Sequence, residues 1–230
     1  MNIRILKLIE GAREARGLTV IIDVFRAMTV EAYVMQNGAE KLYPVGDIEK
    51  AYAYREAHPE AILIGERGGK KCPGFDFGNS PSAVKDVDFT GKTVVHTTSA
   101  GTQGIMAAKG ADEIVLGSLT NAKAIARYIL SKNPEEVSLV AMGLAGAEET
   151  REDNLCAEYI RSLLLGSPID LTEGIRECRQ TSGAKFFDPA KQEIFPEEDF
   201  HLSVEADRFD FVLKIARDKT GAEQTVKIGA

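Results

Sequence analysis

Short, unbroken apolar runs rich in β-branched residues recur along this chain, and between them apolar residues return at helical spacing. Few folds accommodate that exchange of periods. Residues 18–22 (LTVII), 61–65 (AILIG), 93–96 (TVVH), 113–117 (EIVLG) and 137–142 (VSLVAM) are continuous rather than alternating, as strands buried on both faces are. Between them, residues 26–37 put Ala27, Val30 and Val34 on one helical face and stop at Gly38, a C-cap. Asp47 caps a helix carrying Ile48, Ala51 and Tyr52, which ends before His58-Pro59. KLYPV reads as a further strand, and Ile125, Tyr128 and Ile129 mark a helix, as do Leu155, Tyr159, Ile160 and Leu163. The alternation predicts an α/β chain: a three-layer α/β/α arrangement around a largely parallel, mixed sheet. Toward the C-terminus, residues 169–180 and 197–204 read as helices. FDFVLKI and QTVKI read as paired strands around Asp218-Lys219-Thr220-Gly221. With no repeat or linker in view, residues 1–230 are expected to form one domain with a C-terminal strand pair.

At 230 residues the chain can bury one substantial core. Its 44% hydrophobic and 27% charged residues exclude a disordered chain. A net charge of −7 argues against a general nucleic-acid binder, which needs a basic footprint, but not against local capture of a small anion. No apolar run reaches the roughly 18 residues of a membrane span. The segment MNIRILKLIEGAREARG carries charges through its middle, so no secretory leader is expected. Cys72, Cys156 and Cys178 are widely spaced and odd in number, consistent with free thiols in a reducing cytoplasm.

In open α/β sheets ligands bind beyond the carboxyl ends of the strands. Here those ends deliver Asp23 and Arg26; Glu66 and Arg67; Thr97, Thr98, Ser99, Gly101 and Thr102; Ser118 and Asn121; and Thr150, Glu152 and Asp153. Asp23, Glu66 and Asp153 suit a hard divalent cation such as Mg2+. The TTSAGT turn offers hydroxyls and amides to phosphate oxygens, and Arg26 and Arg67 offer forked donors. Asp23 and Asp153 equally fit plain helix capping, being acids near helix starts. His96, at a strand end, reads as a packed core histidine.

The irregular stretch GERGGKKCPGFDFGNSPS carries the most information. A long aperiodic loop inside a compact chain is functional or disordered. Phe75 and Phe77 here demand burial, while Asp76, Asn79 and Ser80 demand polar partners.

The ordered set DVFRAMT, GERGGKKCPGFDFGNSP, TTSAGT, GSLTN and EDNLCAE resembles the 2-phosphosulfolactate phosphatase family, also called the ComB family, across about residues 23–158. One position departs from it: Ala100 stands where the family often has Asn. The resemblance implies a magnesium-dependent phosphatase that takes phosphate from 2-phospho-3-sulfolactate, leaving 3-sulfolactate, in coenzyme M biosynthesis. It implies a small anionic phosphorylated substrate as partner, no nucleic acid and no membrane; a homo-oligomer is compatible with it.

The letters exclude several phosphatase chemistries. Asp23 is followed two positions on by Phe25, so there is no Asp-x-Asp pair. Gly78, Ser162 and Ala184 stand where a Cys-x5-Arg motif would need arginine, and no Arg-His-Gly occurs. Metal-assisted transfer remains, to water directly or through a carboxylate. In that scheme some of Asp23, Glu66 and Asp153 hold Mg2+. Arg26 and Arg67, with the TTSAGT turn (Thr97, Thr98, Ser99, Gly101 and Thr102), position the phosphoryl group, and the resemblance implies Asn79, Ser80, Ser118 and Asn121 as further substrate-binding residues. Asp76 serves as general acid or base, or orients Arg67 or a bound water. A non-catalytic anion-binding protein and a lyase or isomerase acting on a phosphorylated acid are the alternatives.

Overall fold

The computed structural model describes residues 1–229. From the N-terminus come β1 (Asn2–Lys7), α1 (Leu8–Glu14), β2 (Gly17–Ile22), α2 (Ala27–Gln36), β3 (Lys41–Pro44) and α3 (Ile48–Ala57). The middle holds β4 (Ile62–Arg67), β5 (Lys70–Lys71), α4 (Pro81–Val84), β6 (Thr93–Thr97), α5 (Gly101–Ala107) and β7 (Ala111–Gly117). Then follow α6 (Ala122–Lys132), β8 (Glu136–Ala141), α7 (Arg151–Leu164), α8 (Thr172–Gln180), α9 (Glu197–Val204), β9 (Phe211–Arg217) and β10 (Glu223–Gly229). Asp47 caps α3 as its sequence position suggests, accepting from the Glu49 amide at 3.0 Å. The N-terminal strand and helix are a difference from the sequence reading. The alternating Ile3 and Ile5 of β1 pair in parallel with β8 at the sheet edge.

The strands form one sheet in the order β1-β8-β2-β7-β9-β10-β3-β6-β4-β5. Within β1-β8-β2-β7 all pairing is parallel, as it is within β3-β6-β4. The C-terminal pair β9–β10 is an antiparallel hairpin, as expected, but it lies between these two blocks rather than at an edge. Pairings β7–β9, β9–β10 and β10–β3 are each antiparallel, so the second block runs opposite to the first. The seam between β10 and β3 is a single residue pair, Thr225 with Leu42. The carboxyl ends of both blocks nevertheless meet, as shown by a hydrogen bond from Gly101, after β6, to Asp23, after β2.

Alternate strand residues enter different cores, because successive side chains leave opposite faces. Ile21, Leu42, Ile64, Val94, Val140 and Leu213 share one cluster with α2 and α5, which spans both blocks. Val20, Ile22, Val137 and Leu139 pack on the other face with α6 and α7. Tyr43, Leu63 and Val95 pack with Ala51 of α3. Helices therefore cover both faces. A fourth cluster, Leu155, Cys178, Phe186 and Phe200 with Phe25 and Phe195 against it, builds a cap from α7, α8, α9 and the turns between them. Among the described residues no helix is long and apolar enough to cross a membrane.

Candidate active site

Three buried carboxylates stitch the strand-end loops together. Asp23 leaves β2 and turns back on the start of α2: Oδ1 accepts from the Ala27 amide at 3.1 Å, and Oδ2 from the Gly101 amide at 2.8 Å. Glu66, near the end of β4, accepts from Gly69 and from Ser99, both at 2.6 Å. Asp153, in the first turn of α7, accepts from Val24 and from Gly143, both at 2.8 Å. Each acid thus joins separate loops by charge-assisted bonds. Glycine is required at 101, because a Cβ there would lie 2.6 Å from Met28 Cε and 2.9 Å from Asp23 Oδ2.

Beside them lies a fourth acid, Glu152, whose carboxylate accepts from the Ser182 hydroxyl. Burial raises the Asp23 pKa to about 6, with the charges of Glu66 and Glu152 adding and the Ala27 and Gly101 amides opposing. Burial also holds Asp153 well above the usual carboxylate range, reinforced by Glu152 and Asp23, and it raises Glu152. The cations facing this group are Lys185 and Arg26. Burial lowers the Lys185 pKa while Glu152, Asp23 and Asp153 act to raise it. Its ammonium sits 5.2 Å from the Phe195 ring centre and 5.5 Å from that of Phe186, the same two rings that flank Arg26. No ion pair or hydrogen bond to another described residue occupies it.

Arg26 is matched inside the protein. Its guanidinium donates to Asp199 Oδ2 at 2.7 Å, to Ile194 O at 2.9 Å and to Gly69 O at 3.2 Å. The other Asp199 oxygen accepts from Ser80 Oγ (2.8 Å), Ser82 N (2.9 Å) and Ser82 Oγ (2.6 Å). Ser80 and Arg26 therefore anchor the cap to the glycine-rich loop. Arg67 donates to the carbonyls of Glu66 and Gly46 and to Thr97 Oγ1 at 2.9 Å. Thr98 and Thr102 exchange hydrogen bonds across one turn, while Ser99 is half-buried and gives its amide to Glu66. Ser118 and Asn121 form a reciprocal capping box that takes up the Asn121 amide oxygen and the Ser118 amide.

Asp76 is not brought to the carboxylate group. It accepts from the Leu63 amide at 2.7 Å and pairs with Arg55 of α3. Leu63 precedes Glu66 by three residues, which sets Asp76 back by about 10 Å along the strand. Asn79 is buried, and its Oδ1 faces His96 Nε2 at 3.3 Å. A cavity of about 660 Å³ opens beside Asn79, Ser80 and Arg26, with Lys70, Lys71 and Glu198 among its walls.

Lys185 and Asp199 complete the arrangement without having been singled out from the sequence, and Glu152, named there only as a strand-end residue, joins them. Glu152 had a signal, a pair of acids opening α7. Asp199 lies within residues 197–204, which read as a helix, but nothing local marks it as the partner of Arg26, and Lys185 had no signal.

The donor set bears on Mg2+ through its chemistry. Among the described residues no three or more His, Cys, Asp or Glu side chains converge as a metal-holding group. Asp23, Glu66 and Asp153 each serve two backbone amides, yet every carboxylate oxygen retains a second lone pair. Burial and mutual repulsion disfavour the charged forms of Asp23, Glu152 and Asp153, and a bound cation would favour them. Magnesium fits such a site, since it takes one or two carboxylates and draws its remaining ligands from water and substrate phosphate.

A family model described as 2-phosphosulpholactate phosphatase matches residues 3–195. The chain is 41% identical over 152 residues to a probable 2-phosphosulfolactate phosphatase of Caldicellulosiruptor saccharolyticus, covering 64% of this chain and 62% of that protein. Proteins of the same name are 29% identical over 204 residues in Bacillus subtilis (87% of this chain, 88% of that one) and 39% over 165 residues in Carboxydothermus hydrogenoformans (71% and 68%).

Proposed function

The chain belongs to the 2-phosphosulpholactate phosphatase family, a family of phosphoric monoester hydrolases, and from that membership we propose that it hydrolyses the phosphate ester of a small acidic 2-hydroxy acid, with 2-phospho-3-sulfolactate as the first candidate substrate and Mg2+ as cofactor. The observation that carries this reading is the setting of Asp23, which feels the charges of Glu66 and Glu152 and neighbours Asp153 and Lys185, where the carboxyl ends of the opposed strand blocks converge.

The reaction is attack of a water oxygen on phosphorus, cleavage of the P–O ester bond and transfer of one proton to the leaving 2-oxygen. Bound Mg2+ would supply charge neutralisation at the phosphoryl oxygens, held by Asp23 with Asp153 or Glu66. Lys185, which has no ion-pair partner among the described residues, is placed for its ammonium to pair with a phosphoryl oxygen as negative charge builds there. Glu152, raised by burial, keeps its proton nearer to neutral pH than an exposed glutamate and gives it to the leaving oxygen. The proton lost by the attacking water restores it. Asp76, set back beside Leu63, orders the loop through Arg55. Phe186, Phe195 and Phe200 of the cap exclude bulk water, which strengthens every charge interaction beneath them.

Phosphate release from a panel of phosphorylated 2-hydroxy acids, with and without EDTA, tests the proposal. Release from an acidic 2-phospho ester that EDTA suppresses and Mg2+ restores is the expected result. Activity indifferent to chelator would remove the metal, and no release from any ester would remove the reaction.

A further inference from the structure

A chain of buried polar groups runs from α2 through His96 to Asn79 in the cavity wall. Glu31, on α2, is 0% exposed, His96 1% and Asn79 5%. Glu31 Oε1 lies 2.9 Å from His96 Nδ1, and Glu31 Oε2 accepts from Thr225 Oγ1, also at 2.9 Å. A carboxylate so deeply buried is tolerated only when paired and hydrogen-bonded, so Nδ1 carries the proton that faces it. On the far side of the ring, Nε2 faces Asn79 Oδ1 at 3.3 Å. In this placement the amide oxygen faces the ring, whereas a turned amide would offer its N–H2 to Nε2 instead. The remaining half of the Asn79 amide, its N–H2 group, has no partner among the described residues and is not sealed from solvent. Asn79 lines the cavity that Arg26, Lys70 and Lys71 also line.

We propose that His96 is a positioning residue for substrate binding: clamped by Glu31, it fixes Asn79 so that the amide N–H2 donates into the cavity, toward an anionic oxygen of the substrate. An asparagine amide is ambivalent, because a half-turn exchanges its donor and acceptor ends. A donor at Nε2 would hold the oxygen end against the ring, since in the turned arrangement N–H would face N–H. Without that ring the amide could present its oxygen and repel the ligand's charge. The geometry also separates His96 from the reaction itself, because Asn79 stands between it and the cavity. This inference rests on the phosphatase reading for the identity of the ligand but not for the arrangement of the amide.

The test is a double-mutant cycle read in two ways: KM and kcat for the phosphate ester, and the thermal shift produced by inorganic phosphate without turnover. Asn79→Ala is expected to raise KM about tenfold with kcat little changed, the loss of one hydrogen bond to a charged group. The paired change Glu31→Gln with His96→Leu removes ring and buried charge together, which protects folding. It is expected to raise KM by a similar factor in the parent, yet by less than about twofold when Asn79 is already Ala. His96→Gln, which keeps a side-chain donor, should restore part of the binding. Equal effects with and without Asn79, or an unchanged KM in the folded paired variant, would overturn the proposal. Should the paired variant not fold, Asn79→Asp replaces the N–H2 by oxygen at constant shape, and undiminished phosphate binding by it would overturn the proposal too. A wild-type protein that binds phosphate but releases none from esters would count against the phosphatase reading alone, with the thermal shifts still deciding the role of His96.

Discussion

Arg26 and Asp199 form a fully buried ion pair, 2.7 Å apart across 173 positions of sequence, and through it the C-terminal cap is tied to the glycine-rich loop. Asp199 also accepts three hydrogen bonds from Ser80 and Ser82, so both of its oxygens are satisfied. Removing one member of a buried pair strands the other. Asp199→Ala is therefore expected to destabilise the protein by about 3–5 kcal/mol. Urea denaturation measures this, and a loss below about 1 kcal/mol would show that the cap is held chiefly by its aromatic cluster.

Lys185 tests the electrostatic reading. Lys185→Ala should lower kcat on the order of 100-fold, the scale for losing a donor aimed at developing charge, with a smaller loss for Lys185→Arg. Unfolding midpoints of both variants should stay near that of the parent, because the ammonium makes no ion pair with other described residues. Steady-state kinetics that leave kcat intact would place Lys185 outside the reaction.

Asp23 gives stability a defined pH dependence. Its folded pKa, about 6, lies above the unfolded value of 3.8, so the native state binds the proton more tightly. Protonation of Asp23 favours folding fully below pH 3.8, and this contribution is lost as pH rises to about 6. The loss is about 3 kcal/mol by linkage, and Asp153 acts in the same direction. Asp23→Asn should flatten that slope while lowering stability overall, since its amide nitrogen cannot accept from Ala27 or Gly101. Thermal unfolding between pH 3.5 and 7 without added metal checks this, and parallel slopes for the two proteins would refute it.

Gly101 sets how closely α5 approaches Asp23. A methyl group there meets Met28 Cε, Ala27 Cβ and the Asp23 carboxylate at 2.6–2.9 Å. Gly101→Ala should cost about 1–3 kcal/mol and reduce activity, because α5 must retreat from the carboxylate it binds. Chemical denaturation together with phosphate release would detect both effects. A fully active and equally stable variant would mean that the turn has room to shift.

The main strands and helices from β2 onward, the α3 cap at Asp47 and the polar content of the strand ends were readable from the letters, because each rests on local period or neighbouring residues. The C-terminal pair was readable as a pair: Phe211, Val212 and Leu213 are buried, and Asp218 to Gly221 make its turn. Its place between the parallel blocks was not readable. Nothing within residues 209–229 says which strands will flank them, and the seam with β3 is one residue pair.

The same division runs through the site. Asp23, Glu66 and Asp153 could be named from sequence because a strand end is a local event, and the strand-end loops do converge on one another. Tertiary structure alone decided that Asp76 faces Arg55, that Arg26 is matched by Asp199, and that Glu31, His96 and Asn79 line up behind a cavity. These partners stand 17 to 173 residues apart. Hydrophobic periodicity assigns a residue to a face of its own element, whereas a hydrogen bond between elements depends on how those faces pack, and that is set by the whole core at once.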